Sequence, residues 1–264
     1  MNPDLGQPRG VLRQHLDGEL EHRRHAPDPA LAPFIEHYWR VRWKLDAPQT
    51  QETLPHPNVQ LIIERGLSRI YGVHGGRFVR VLEGCGCVFG VKFRAGGFHP
   101  FLRRPVATLA NRSLPITRVL SGAASLEAEV LACDSMEAMA AVVDRHLVAH
   151  LPAPDPQATR AGALVARIAA DPALTTVQSL AESAGMGVRT LQRLFGQYVG
   201  VSPKWVISRY RLHEALAQMQ AGRAIAWAEL ALSLGYFDQA HFVRDFTRLV
   251  GHPPGEYERR EGRH

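Results

Sequence analysis

The chain has 264 residues, with 31 Lys and Arg against 25 Asp and Glu, a net charge of +6 and an isoelectric point near 9.6. That length favours two ordinary domains over one large core, and the basic balance, stronger in the shorter part after residue 157, suits an anionic partner such as nucleic acid. Three cysteines are too few for a disulfide framework, the amino terminus has no apolar core of the signal-peptide kind, and no stretch approaches the roughly 20 apolar residues of a membrane span; a cytoplasmic protein without a membrane partner is expected.

From about residue 31 to 118 the pattern is β. Short runs rich in β-branched and aromatic residues (Tyr38 to Trp43, Val59 to Ile63, Arg69 to Val73, Phe78 to Leu82, Val88 to Phe93) alternate with Gly or Pro punctuation. Val73-His74-Gly75-Gly76-Arg77 offers the glycines of a tight turn, so the third and fourth runs are expected to pair as an antiparallel hairpin. Many short strands at this spacing favour a barrel or sandwich. From about 123 to 150 the period becomes helical. Asp134-Ser135-Met136-Glu137 reads as a capping box, and Met139, Val143 and Leu147 form a stripe for packing on the barrel or on a second subunit.

Leu151-Pro152-Ala153-Pro154-Asp155-Pro156 places three prolines in five residues, which neither helix nor sheet interior tolerates. The expected layout is a β-rich sensor or dimerisation domain with trailing helices over 1–151, a Pro-rich linker over 152–158, and a helical domain over 159–264 that folds independently. In that domain Thr175-Thr176-Val177-Gln178 is a capping box, the short helix it opens ends near Ala184, and Gly185 suits the left-handed residue that closes it. A second helix starts after Gly187. Two short helices around a Gly-containing turn form a helix-turn-helix.

At 100° per residue, Leu191, Leu194, Phe195 and Tyr198 share one face of the second helix, and Arg189, Gln192, Arg193 and Gly196 share the other. Arg can grip guanine O6 and N7 with two hydrogen bonds and Gln can pair with adenine N6 and N7, so this face can discriminate base pairs in a major groove. The arrangement recurs about 51 residues later. Trp227, Leu230, Ala231 and Leu234 mark a short helix closed by Gly235, and Asp238 caps a following helix whose core face carries Phe242, Phe246 and Leu249. Its other face has Ala240, His241, Arg244 and Arg248, with Gln239 in the first turn, a set suited more to phosphate anchoring than to base reading. Between the units, Ser202-Pro203 opens a helix that runs to Gly222 and spans roughly 28 Å, comparable with the roughly 34 Å between successive major-groove faces.

With these residues in view, segment 176–257 resembles the DNA-binding domain of the AraC/XylS family of bacterial transcription regulators. The matching stretches are Leu191-Gln192-Arg193-Leu194-Phe195, Gly200-Val201-Ser202-Pro203, Arg211-Leu212, Glu229-Leu230-Ala231, Leu234-Gly235-Tyr236, Asp238-Gln239-Ala240-His241-Phe242 and Gly251-His252-Pro253-Pro254-Gly255-Glu256-Tyr257. The resemblance implies that Arg189, Gln192 and Arg193 contact bases from the first recognition helix, and Gln239, Ala240, His241, Val243 and Arg244 from the second. It departs at Gly187, where the family has a Ser cap, and at Val206, where an aromatic is common.

The family couples such a unit to a cupin-like barrel that senses a ligand or holds a dimer. Phe34 to Pro57 and Gly90-Val91-Lys92-Phe93-Arg94-Ala95-Gly96-Gly97 resemble an uncharacterised sensor domain of some members. The implied fold is α+β in two domains: an N-terminal cupin-like β-barrel with trailing helices, and an all-α domain with two helix-turn-helix units joined by a long helix. The implied partners are double-stranded DNA, a small-molecule effector, a second copy of the chain and, in an activator, RNA polymerase. Trp39, Trp43, Phe93 and His99 are available to line an apolar ligand pocket, although core packing explains them more simply. His56, His74, Cys85, Cys87 and His99 have the residue types of a metal site, but Cys85-Gly86-Cys87 lacks the two-residue gap of zinc knuckles, and no metal or other cofactor is expected. A cupin-type metal-dependent enzyme with an accessory DNA-binding domain is the alternative; no nucleophile, base and orienting group can be placed together for it, and no catalytic residue is assigned.

Overall fold

The computed structural model describes residues 18–220 and 227–261. The amino terminus before Gly18 and the expected end of the connecting helix at Gly222 lie outside the described residues.

The described residues of the N-terminal part hold eight strands: β1 (Glu19–His25), β2 (Ile35–Lys44), β3 (Gln49–Thr53), β4 (Gln60–Ile63), β5 (Arg69–Tyr71), β6 (Phe78–Leu82), β7 (Cys85–Phe93) and β8 (Ser113–Pro115). Six make an antiparallel sheet in the order β1-β2-β7-β4-β5-β8, while β3 and β6 pair separately, so two sheets are present and hydrogen bonds among the described residues do not close them into a barrel. Alternation along β7 sends Phe89, Val91 and Phe93 into the main core against helices α2 (Leu126–Leu131) and α3 (Met136–Val148). On the opposite face, Gly86 and Gly90 stand directly across from Trp43 and Trp39, and the two indoles lie where glycine Cβ atoms would project.

The expected hairpin around Gly75-Gly76 is not formed: β5 pairs with β4 and β8, and β6 with β3. The connecting segment is bound elsewhere. Gly72 N–H donates to Arg112 O, Val73 O accepts from Asn111 N–H, Gly75 N–H donates to the Asn111 side chain, and Gly72 abuts the Leu109 backbone too closely for any side chain. The chain therefore crosses to the second sheet instead of folding back. Ser135 caps α3 by accepting from Ala138 N–H, and Met139, Val143 and Leu147 are buried in the domain's own core. This settles the stripe on the sheet of the same chain and leaves it unavailable to a second subunit.

Among the described residues seven helices follow: α4 (Pro156–Ala170), α5 (Val177–Ser183), α6 (Val188–Tyr198), α7 (Pro203–Gln220), α8 (Trp227–Ser233), α9 (Gln239–Val250) and α10 (Pro254–Glu261). A four-residue helix, α1 (His99–Leu102), precedes them in the N-terminal part. Residues 156–158, placed in the linker on sequence grounds, form the first turn of α4, because Asp155 accepts from Gln157 and Ala158 N–H and Pro156 sits where a helix needs no N–H donor. The helices enclose two cores. Leu164, Ile168, Leu180, Leu191 and Phe195 build the first, and Leu230, Phe242, Phe246, Leu249 and Tyr257 the second. Helix α7 belongs to both, giving Val206 and Ile207 to one and Leu212, Ala215 and Leu216 to the other.

Candidate nucleic-acid interface

Each helix-turn-helix is assembled from caps that the sequence carries. Thr176 caps α5 by accepting from Ser179 N–H, one residue later than a Thr175 to Gln178 box implies, and Gly185 closes the helix at φ 61°. Gly187 begins α6 with no side-chain cap, a loss of a few tenths of a kcal/mol at about the level expected for glycine in that position. In the second unit Gly235 ends α8 at φ 79°, and Asp238 caps α9 with a 2.6 Å hydrogen bond from His241 N–H. Val206 is fully buried in the first core, where Trp205 and Tyr210 pack beside it.

Core packing then fixes which side of each recognition helix is presented. Leu191, Leu194 and Phe195 are buried on α6, and Arg189, Gln192 and Arg193 are exposed. On α9, Phe242, Phe246 and Leu249 are buried; Gln239, Ala240 and Arg244 are exposed, and His241 and Val243 are half-buried. Among the described residues no carboxylate lies within salt-bridge distance of Arg189, Arg193 or Arg244, whereas Arg248 is paired with Asp245 at 2.7 Å. Three guanidinium groups thus stand uncompensated on two surface faces. That arrangement attracts a polyanion and has the donors to read base edges.

The N-terminal part touches both units without covering either face. His99 lies at the first, its ring 4.3 Å from that of Tyr198 and its Nε2 2.8 Å from Gln197, while burial lowers its pKa against the opposing pull of Asp155. At the second unit, Arg77 donates to Val250 O at 3.0 Å at the end of α9, Arg209 of α7 donates to Gly75 O at 2.8 Å, and Leu54 enters the core. His56 stacks on His213 at 4.4 Å. Arg209 is buried over the Trp205 ring, and burial pulls its pKa down to about 10. Tyr236 beside it is pushed well above the usual phenol range, first by burial and then by Asp245. Sequence periodicity could not reveal the contacts of His99, Arg77 and Gly75 with the helical units, since they join residues more than 90 positions apart.

The four residues considered for a ligand pocket do not share one. Trp39 and Trp43 lie on one face of the large sheet, Phe93 is in the core on the other, and His99 is at the seam with α6. Trp39 donates to Gln60 at 3.1 Å and Trp43 to Glu83 O at 3.1 Å. Among the described residues no three His, Cys, Asp or Glu side chains are grouped so as to hold a metal ion, and no helix is long and apolar enough to cross a membrane.

Comparison with known proteins matches these two parts separately. Residues 180–260 match the model of a helix-turn-helix domain, and residues 23–115 that of a domain of unknown function (DUF6597). A putative AraC-like transcription regulator of Streptomyces lividans is 36% identical over 88 residues, which are 33% of this chain and 29% of that protein. The RCS-specific HTH-type transcriptional activator RclR of Escherichia coli strain K12 is 36% identical over 85 residues, 32% of this chain and 30% of that one. The alignment thus spans less than a third of the length of either relative. An AraC-type regulator structure from Chromobacterium violaceum covers 37% of this chain and 88% of its own at 24% identity, with a TM-score of 0.33. The C-terminal segment, with its two capped helix pairs and shared connecting helix, is a helix-turn-helix domain of the AraC type.

Proposed function

We propose that the protein is a sequence-specific DNA-binding transcription regulator whose recognition helices α6 and α9 enter consecutive major grooves of one duplex. The observation that carries this reading is the shared use of α7: one 18-residue helix, about 27 Å long, is built into both cores and so sets the spacing of the two exposed faces. Arg189, Gln192 and Arg193 act as base readers. Gln239, Ala240, His241, Val243 and Arg244 combine phosphate anchoring with apolar contact to the groove. Selection of bound sites from a random DNA pool tests this directly. Arg193→Ala is expected to weaken the selected site by about 1 to 3 kcal/mol and to relax preference at one base pair, because a bidentate Arg contact contributes that much discrimination. Unchanged site preference in the variant would remove α6 from the groove.

The cupin-like N-terminal part is the regulatory element in this reading. It is the part to which a small-molecule effector or a second copy of the chain would bind; RNA polymerase would be the further partner of an activator. Its docking on both units, with their recognition faces left open, supports control of their relative orientation over control by covering the basic surface. His99→Ala combined with Arg77→Ala removes polar contacts at both docking points. The double variant is expected to accept a wider range of spacings between half-sites and to be cut faster by protease near 151–155. Wild-type spacing preference would refute the orientation role. The metal-enzyme alternative draws no support from the scattered positions of His56, His74, Cys85, Cys87 and His99.

A further inference from the structure

The two helical units touch where the turn before α9 meets the residues ahead of α5. Gly235 lies against the Thr175 side chain so closely that a Cβ there would collide with it. A cleft of about 250 Å³ opens beside this contact, and Thr175, Thr176, Lys204, Ser208 and His241 line it with Asp245. Asp245 is the only carboxylate in the lining, and its charge is matched by Arg248 at 2.7 Å. Lys204 is exposed and has no carboxylate within salt-bridge distance among the described residues. The cleft is therefore a recess with one exposed cation, Lys204, beside the buried Arg211 that is paired with Glu214, and with several hydroxyl groups and an imidazole, contributed by both units.

Its place in the fold says what could occupy it. In a helix-turn-helix the first helix crosses the sugar-phosphate backbone and the start of the second points into the major groove. The cleft is bordered by the start of α5, the crossing helix of unit one, and by His241 in the first turn of α9, the reading helix of unit two. If the two units read successive grooves, what runs between these borders is backbone. We propose that the cleft seats one phosphodiester of the duplex between the two major-groove segments, with the Lys204 ammonium as its charge partner and the Ser208 and Thr175 hydroxyls as donors. This rests on the reading of α6 and α9 as DNA readers and adds a contact that positions one unit relative to the other on the backbone without reading sequence.

The test uses the full chain and the DNA site selected with it. Neutralising one phosphate releases about one counterion, so Lys204→Gln is expected to reduce the slope of log affinity against log salt by about one while leaving base preference unchanged. Lys204→Arg should keep the slope. Methylphosphonates walked through the site should weaken the wild type most in the stretch between the two half-sites, and should have little effect there on Lys204→Gln. An unchanged slope, or equal sensitivity of wild type and variant in that stretch, overturns the proposal. Inorganic phosphate that shifts the Lys204 resonance while neither DNA test responds would mark a free-anion site and overturn it too. Failure of the wild type to select any sequence would instead overturn the DNA-reading function itself.

Discussion

Ala215→Pro is expected to destabilise the protein by about 3 kcal/mol or more and to abolish simultaneous protection of both half-sites. Ala215 is fully buried in α7, in the stretch where the helix packs Leu212 and Leu216 into the second core. Proline there removes the backbone bond to the carbonyl four residues earlier, and its ring collides with that carbonyl. The ring must also fit a site occupied by one methyl group, and overpacking of this kind adds about 1 to 3 kcal/mol. Both terms have the same sign, so no compensation is available inside the helix. Urea unfolding followed by circular dichroism gives the stability change, and footprinting on the selected site gives the functional one. Ala215→Gly is the control for propensity alone, at about 1 kcal/mol. A proline variant with wild-type unfolding and full two-groove protection would show that α7 does not fix the separation of the recognition helices.

Much of the helical domain was legible because its signals are local. Asp238 as a cap, Gly185 and Gly235 as left-handed terminators, Pro203 at a first turn and the 3.6-residue spacing of Leu191, Leu194, Phe195 and Tyr198 each report on a few neighbouring residues, and these features stand where the pattern placed them. The strands were less legible. β3 reads Gln-Thr-Gln-Glu-Thr and β1 Glu-Leu-Glu-His-Arg-Arg-His, and neither has the apolar alternation that marks a half-buried strand. They are strands because of their partners, β6 and β2. The false hairpin at Gly75-Gly76 has the same origin. A glycine pair permits a tight turn without requiring one, and hydrogen bonds to Asn111 and Arg112, far along the chain, decided otherwise. For the candidate interface, the exposed face of α6 could be computed from periodicity. The cleft around Lys204 and the docking of Arg77 at the end of α9 depend on how separate elements meet.

Arg211 joins the local and the non-local parts of this domain, and its removal is expected to cost about 3 kcal/mol or more. Its side chain is 2% exposed, and Nη2 donates to Ile168 O at 2.6 Å and Asp171 O at 3.2 Å, while Nη1 meets Glu214 at 3.0 Å. These carbonyls lie at the C-terminal end of α4, where a helix has no donors of its own for its last turn. One guanidinium therefore anchors α4 to α7 and with it the core under α6. Burial disfavours the charge and lowers its pKa, with Glu214 and then Asp171 opposing the shift. Desolvation of the guanidinium is relieved on truncation, and Asp171 O keeps the Leu174 N–H as a donor, but the orphaned buried Ile168 carbonyl costs about 1 to 3 kcal/mol and the vacated volume adds a cavity term. The second pair of effects wins for Arg211→Ala. Arg211→Met retains most of the volume without the charge or the donors, so its loss should be smaller than that of Ala and still destabilising. Urea unfolding of both variants separates the two contributions: the Met value reports the orphaned Ile168 carbonyl against the relieved charge, and the Ala-minus-Met difference reports packing. An Ala variant within about 0.5 kcal/mol of the wild type, the range of an ordinary surface substitution, would show that α4 is held to α7 by apolar contacts alone.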